Sequence, residues 1–295
     1  DGGTVVKNID QLNAALVAGK DDIILAANGD FDFSNADTKT ITPTASVKIS
    51  GEKGATVKGL AFSLTSDSPE FALEGITFQA GDQGVFLNFD AAGAVMNSLT
   101  LTDVTLDGFT KSVIYGNSDG NNVDEVIFKG LTVVNHGTGQ GMFDFRKGTY
   151  STLRIIESTL TGGRDFLRMD AGVGNGIVDV SQNTLYNLNP SANSNGIFYV
   201  RSTSTTTYTV KNNLIHTVAG VLAKDMAAVL VPSMSGNFYY ALGDKAFGKI
   251  DEATATAGGG VVLTTDPVKN AEGGDFTLVS GLAMSSKVGD PRWNP

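Results

Sequence analysis

The sequence predicts an all-β chain wound as a right-handed parallel β-helix, with a short helix capping its N-terminal end. Three observations carry that expectation: a strand pattern repeated at near-constant period, a second strand set in phase with the first, and Ser or Asn recurring at one corner. The first set superimposes FALEGITFQA (from 71), LTLTDVTLDG (99), VIFKGLTVVN (126), LRIIESTLTG (153), VDVSQNTLYN (178) and TVKNNLIHTV (209), with MSGNFYYA (234) as a seventh copy. Aligned on Thr77, Thr105, Thr132, Thr159, Thr184, Leu214 and Phe238, the copies recur every 24 to 30 residues. Between them fall FLNFD, IYGNS, FDFRK, FLRMD and IFYVR. Repeats of this length that cannot bury an apolar face alone stack on their neighbours, and each coil needs at least two sheet-forming sides.

The elements come in order along the chain. Residues 1–45 read as an N-terminal cap and first strands, 46–242 as the coils and 243–295 as a C-terminal cap region, all in one domain. In NIDQLNAALVAG (8–19), Ile9, Leu12 and Leu16 fall near helical spacing, with Asp10 as N-cap and Gly19 as the stop. A helix there covers the open end of a solenoid core. Through the coils, Ser158, Asn183, Asn213 and Asn237 precede the aligned position. Stacked Asn side chains can hydrogen-bond along the axis, and Asn tolerates the left-handed backbone of a sharp corner. Past 243 the repeat is lost.

Composition narrows the function classes. A formal charge of −10 argues against nucleic acid, which selects cationic surfaces. With no cysteine, disulfides and thiolate metal sites are excluded, and two histidines cannot form a multi-His centre. His136 and His216 lie at different offsets in their coils, so neither is expected to serve as a catalytic base. No apolar run approaches the length of a membrane span. The abrupt DGGTVV start suggests a removed export segment, and a monomer is expected.

Five of the six arginines lie between residues 146 and 201. Aligning the second strand set puts Asn88, Tyr115, Asp144, Arg168 and Tyr199 in one outward column. Asp90, Asn117, Arg146, Asp170 and Arg201 form its neighbour two residues on. Phe143, Phe145, Leu167, Met169, Phe198 and Val200 then face inward. Adjacent coils lie about 4.8 Å apart, so column neighbours touch. Guanidinium forks match carboxylate and sulfate oxygens, and tyrosines can stack on sugar rings. Asn88, Tyr115, Asp144, Arg146, Arg168, Asp170, Tyr199 and Arg201 are therefore the candidate binding face for an extended polysaccharide. The competing reading is a ladder of cross-strand salt bridges, Asp144–Arg168, Arg146–Asp170 and Asp170–Arg201, each contributing about 0–1 kcal/mol. NSDGNNVDE (117–125) places Asp119 and Asp124 in a weakly calcium-like loop, for which a polar turn is the commoner explanation.

The cap helix followed by DDIILAANGDF, with the coils behind it, resembles the pectate-lyase-like (pectin-lyase-like) β-helix proteins. The ending DPVKNAEGGDFTLVSGLAMSSKVGDPRW resembles surface proteins of gut Bacteroidetes that close with a GDPRW-type tail. The resemblance implies an extracytoplasmic protein, secreted or lipid-anchored at the outer surface, that handles polysaccharide beside outer-membrane glycan importers. Three functions stay open. The first is a noncatalytic glycan binder. The second is a lyase cleaving a uronate glycan by β-elimination, with Arg146, Lys147, Arg168, Tyr199 and Arg201 as catalytic candidates. The third is a structural or adhesin-like solenoid. Glycoside hydrolysis through Asp144 and Asp170 is disfavoured, because neighbouring arginines keep both carboxylates ionised. Calcium is compatible with the resemblance but matched by no complete motif.

Overall fold

In the computed structural model the chain winds three parallel sheets around one continuous apolar core; the structure describes residues 2–89, 91–226, 233–279 and 281–295. Among these described residues sheet A has ten strands, from Thr4–Asn8 to Ser233–Ser235. Sheet B has nine, from Thr56–Lys58 to Val261–Val262, and sheet C has eight, from Thr40–Ile41 to Ala223–Met226. All the pairings within these three sheets are parallel and each links one coil to the next, as a β-helix requires. No helix among the described residues is long and apolar enough to cross a membrane.

The first repeated segment of the sequence is two strands, not one. A residue of positive φ separates them at each corner: Gly75, Asp103, Gly130, Glu157, Gln182, Asn212 and Gly236. A single left-handed residue turns the chain from sheet A to sheet B without lengthening the coil, so the sequence pattern runs through the break. The expected Asn ladder forms one residue later, and its members carry ordinary backbone angles. Asn183 Nδ2 donates to Asn213 Oδ1 at 3.1 Å, and Asn213 Nδ2 to Asn237 Oδ1 at 3.0 Å. The same side-chain oxygens accept from the backbone N–H one coil below, and the amides also donate to the carbonyls of Ile155, Val180 and Val210. Ser158 and the three Asn are fully buried, so the ladder satisfies corner groups that water cannot reach.

Ile9–Val17 is helical, but Asn8 caps it: its side chain accepts from Gln11 N at 2.8 Å while Asp10 sits in the first turn. Gly19 (φ +69°) ends it as expected. Leu12 and Ala15 are buried against the core. At the far end, Ala246, Ile250 and Ala255 join the core, and Tyr239 donates to Ala255 O at 2.8 Å. From there the chain folds back over the outer face of sheet B. Leu214 and Phe238, which stand where earlier coils carry Thr, form a second apolar cluster with Val268, Phe276, Leu278 and Val288. The GDPRW tail fastens this segment. Asp290, fully buried, pairs with Arg292 and accepts from Thr159 Oγ1 at 2.7 Å; Arg292 reaches Leu131 O and Trp293 Nε1 reaches Thr159 Oγ1.

Replacing Asn213 by Ala strands the Asn183 N–H and the Val180 carbonyl in the buried corner. A loss of about 3 kcal/mol is expected, read as a lower urea midpoint. A loss below about 0.5 kcal/mol would show that the ladder stabilises nothing.

Candidate functional site

Sheet C sets the two columns in the expected register. Tyr115 stands opposite Asn88 and Asp144, Asp144 opposite Arg168, and Arg168 opposite Tyr199. Beneath them Phe143, Phe166 and Phe198 pack edge to face at 5.5 and 5.7 Å, so the strands carrying the arginines rest on a rigid apolar floor. Arg146, Asp170 and Arg201 continue each strand by one hydrogen-bonded residue. Asp90, placed in this column by the alignment, lies outside the described residues.

The charges pair differently from the expected ladder. Of the three cross-strand salt bridges only Asp170–Arg201 forms, at 2.9 Å. Asp144 pairs with Arg146 two residues on (2.9 and 3.2 Å), and Asp170 pairs with Arg168 in the same way (2.9 and 3.3 Å). Residues i and i+2 share a face of a strand, and a long guanidinium folds back to take both carboxylate oxygens. Asp144 is wholly buried and also accepts from Gly141 N at 2.9 Å, so it is not the exposed column member the alignment implies.

The tyrosines hold the arginines. Arg146 lies over Tyr115 at 5.2 Å. The Tyr199 ring faces Arg168 at 5.2 Å, Arg201 at 4.7 Å and the Lys224 ammonium at 5.2 Å, and is 8 % exposed. Its faces are taken by cations, which leaves Tyr115, half-buried, as the ring nearer to solvent. Column alignment does not place Lys224, because an extra residue shifts the register between Phe198–Ala223 and Val200–Met226. Nor does it bring Arg164 and Asp165 together. They form an ion pair at the turn entering the Arg168 strand, with Asp165 wholly buried.

Beside the second column an open cleft of about 690 Å³ is lined by Arg146, Lys147, Arg201, Asp170, Asp119 and the turns at Gly120 and Gly172. Arg201 Nε is buried there without a hydrogen-bond partner. Lys147, past the strand end as expected, meets Asp119 at 3.1 Å. Asp124 stands exposed on the next strand of sheet A. Among the described residues no three acidic or histidine side chains converge on a cation position.

Electrostatics restrict the chemistry. Burial raises the Asp170 carboxyl, but hydrogen bonds from Arg168 and Arg201 outweigh it and hold the group below its ordinary value, unsuited to donating a proton. The bond to Asp144 raises Arg146, and at Arg168 the bond to Asp170 overcomes burial; neither can act as a base. His216 lies on sheet B against Asp266 at 3.0 Å, between the rings of Tyr186 and Tyr240. His136 is buried, with Nε2 at 3.0 Å from Lys111 O. Neither histidine lines the cleft. What the patch offers is a bank of fixed guanidinium and ammonium donors.

The site thus belongs to a parallel β-helix with a cationic groove on one sheet of an acidic protein. A family model described as a domain of unknown function, DUF5123, matches residues 178–293, the last coils and the C-terminal segment. No curated protein matches the chain. Among solved structures, it is similar to two of the PL6 family alginate lyase AlyGC, one of them a mutant. Each is 15 % identical over 99 % of this chain and 57 % of the lyase chain, with TM-scores of 0.34 and 0.32. The chain spans little more than half the length of those structures.

Burial pushes the His136 imidazole down to about 4, against 6.5 ordinarily. Between those values the unfolded chain binds a proton that the folded one refuses. Stability present above pH 6.5 is therefore lost as the pH falls toward 4, by about 3 kcal/mol. His136→Gln, which keeps a donor for Lys111 O, is expected to flatten that part of the stability–pH curve. An unchanged slope would place the acid sensitivity elsewhere.

Proposed function

We propose that this protein binds an acidic polysaccharide along sheet C, with Arg146, Arg168 and Arg201 meeting its carboxylate or sulfate groups and Lys147 and Lys224 flanking them. The observation that carries the reading is the placement of three guanidiniums on consecutive coils beside an open cleft. Of their carboxylate partners Asp144 is wholly buried while Asp170 shares the cleft, and Arg201 keeps an unpartnered N–H. An extended polymer suits a shallow groove that runs from coil to coil. The resemblance of the C-terminal stretch supports the setting, an extracytoplasmic bacterial protein, secreted or lipid-anchored, beside glycan importers, and we propose that it acts as a monomer.

Lyase activity is the second reading, favoured by one feature: Lys147 lines the same cleft as Arg146 and Arg201, half exposed. In β-elimination the arginines would neutralise the uronate carboxylate and Lys147, once neutral, would take the C5 proton; the C4–C5 double bond forms as the C4–O bond breaks, and the lysine ammonium returns the proton to the leaving glycosidic oxygen.

Arg201→Ala separates binding from a purely structural network, because Asp170 keeps Arg168 and the fold keeps its ion pair. Losing one charge-assisted contact is expected to weaken retention in gels containing uronate polysaccharide about tenfold, with thermal unfolding unchanged. Equal retention would make the patch a structural ion-pair network. Ultraviolet absorbance on the same polymers decides the second reading: a rise that Lys147→Ala abolishes establishes a lyase, and a flat trace with retention leaves a binder.

A further inference from the structure

The C-terminal segment covers the outer face of sheet B only in part, and where it ends it leaves a second cavity of about 360 Å³. The floor is sheet B itself, through Thr132, Val134, Thr159 and Thr161. One wall is aromatic. Phe276, buried, meets Tyr186 at 5.3 Å and 61° on one side and Trp293 at 5.7 Å and 67° on the other, and all three rings line the space. Opposite them run Ala271, Glu272, Gly273 and Gly274 of the turn between the two strands of the C-terminal hairpin.

The rings are held from behind. Trp293 Nε1 donates to Thr159 Oγ1 at 2.7 Å, and that hydroxyl donates to the buried Asp290, which Arg292 grips. Tyr186 is backed by the His216 ring at 5.3 Å. Tyr186 and Trp293 are nonetheless only partly buried. Preformed, partly open aromatic faces beside the Thr132 and Thr161 hydroxyls and the Asn135 side chain are what an amphipathic ring requires, apolar on its C–H face and polar at its edge. Among the described residues Glu272 is the charged side chain of the lining, with Arg292 reaching the floor hydroxyl of Thr132 at 3.0 Å. A carboxylate there accepts from hydroxyls and repels anions.

We propose that this pocket is a second carbohydrate site, taking a neutral sugar unit that stacks on Trp293 and Tyr186. Where the groove presents arginines and Lys147, this pocket presents aromatic rings and the Glu272 carboxylate. It lies on a different sheet and stands whether or not the groove binds polyanions. The two sites would let one chain hold a heteropolymer by charged and uncharged parts, or two polymers at once.

Trp293 is the single tryptophan of the chain, so intrinsic emission reports this pocket directly. The experiment titrates the protein with neutral tetrasaccharides of glucose, xylose, mannose and galactose and with an oligouronate, following emission and, in parallel, heat. A saturable response to at least one neutral sugar is expected, unchanged in Arg201→Ala. Thr161→Phe, which fills the floor from a partly exposed position, is expected to weaken it tenfold or more with thermal unfolding intact. Should that variant fail to fold, Glu272→Arg at the exposed rim replaces it and is expected to bring the oligouronate into the pocket. No response or heat with any neutral sugar, an equal response in the blocked variant, or a stronger response to the oligouronate in the parent protein would overturn the proposal.

Discussion

Everything in this molecule depends on coils stacking in register, one strand spacing apart, with the buried corner groups paired from coil to coil. The demanding place is the corner between sheets A and B, where the backbone turns on one residue and buries its successor. A left-handed residue makes the turn, and the next residue must satisfy the groups it exposes. In the early coils that position is Ile76, Val104 or Leu131 and simply packs into the core. From Ser158 onward it is polar, and side-chain hydrogen bonds tie each coil to the next. A buried network of this kind is stable because every member is paired, and it fixes register because a slip of one coil position would orphan several groups at once.

That register is what assembles the arginine patch. Residues 24 to 31 apart in the chain become neighbours on sheet C, above a stack of phenylalanines that leaves the strands little freedom. Two tendencies compete there. Carboxylates at i±2 neutralise the guanidiniums locally, and tyrosine rings hold them flat. Cation–π contacts of this sort contribute on the order of 1 kcal/mol each when partly desolvated. The result is a preorganised set of donors with restricted rotamers, which lowers the entropy cost of engaging a ligand.

The C-terminal segment does a different job on sheet B. It shields outward Leu214 and Phe238, ties three coils together through Asp290, Arg292 and Trp293, and creates an aromatic pocket at its own edge. Sheet C thus carries an arginine-lined groove and sheet B an aromatic recess with Glu272 at its rim. The coil supplies similar backbone to both faces, so the difference lies in which side chains stand outward and in the C-terminal segment laid over sheet B.

The period, the inward residues of sheet C, the Asn corner and the cap helix, though not its capping residue, were legible in the chain alone, because stacking makes each coil's neighbours those one repeat away. So was the placing of Arg146, Arg168 and Arg201 on one face. Folding in three dimensions decided the rest. The corner turns on one residue, so no gap in the pattern marks that the first repeat spans two sheets. Asp144–Arg146 and Asp170–Arg168 pair along their strands because side-chain reach competes with column alignment, which selects the partner at Asp170–Arg201. Lys224 joined the patch through a register shift that no periodicity encodes. The pocket joins Tyr186 of a middle coil to Phe276 and Trp293 far along the chain, and only the folding back of the last segment brings them together.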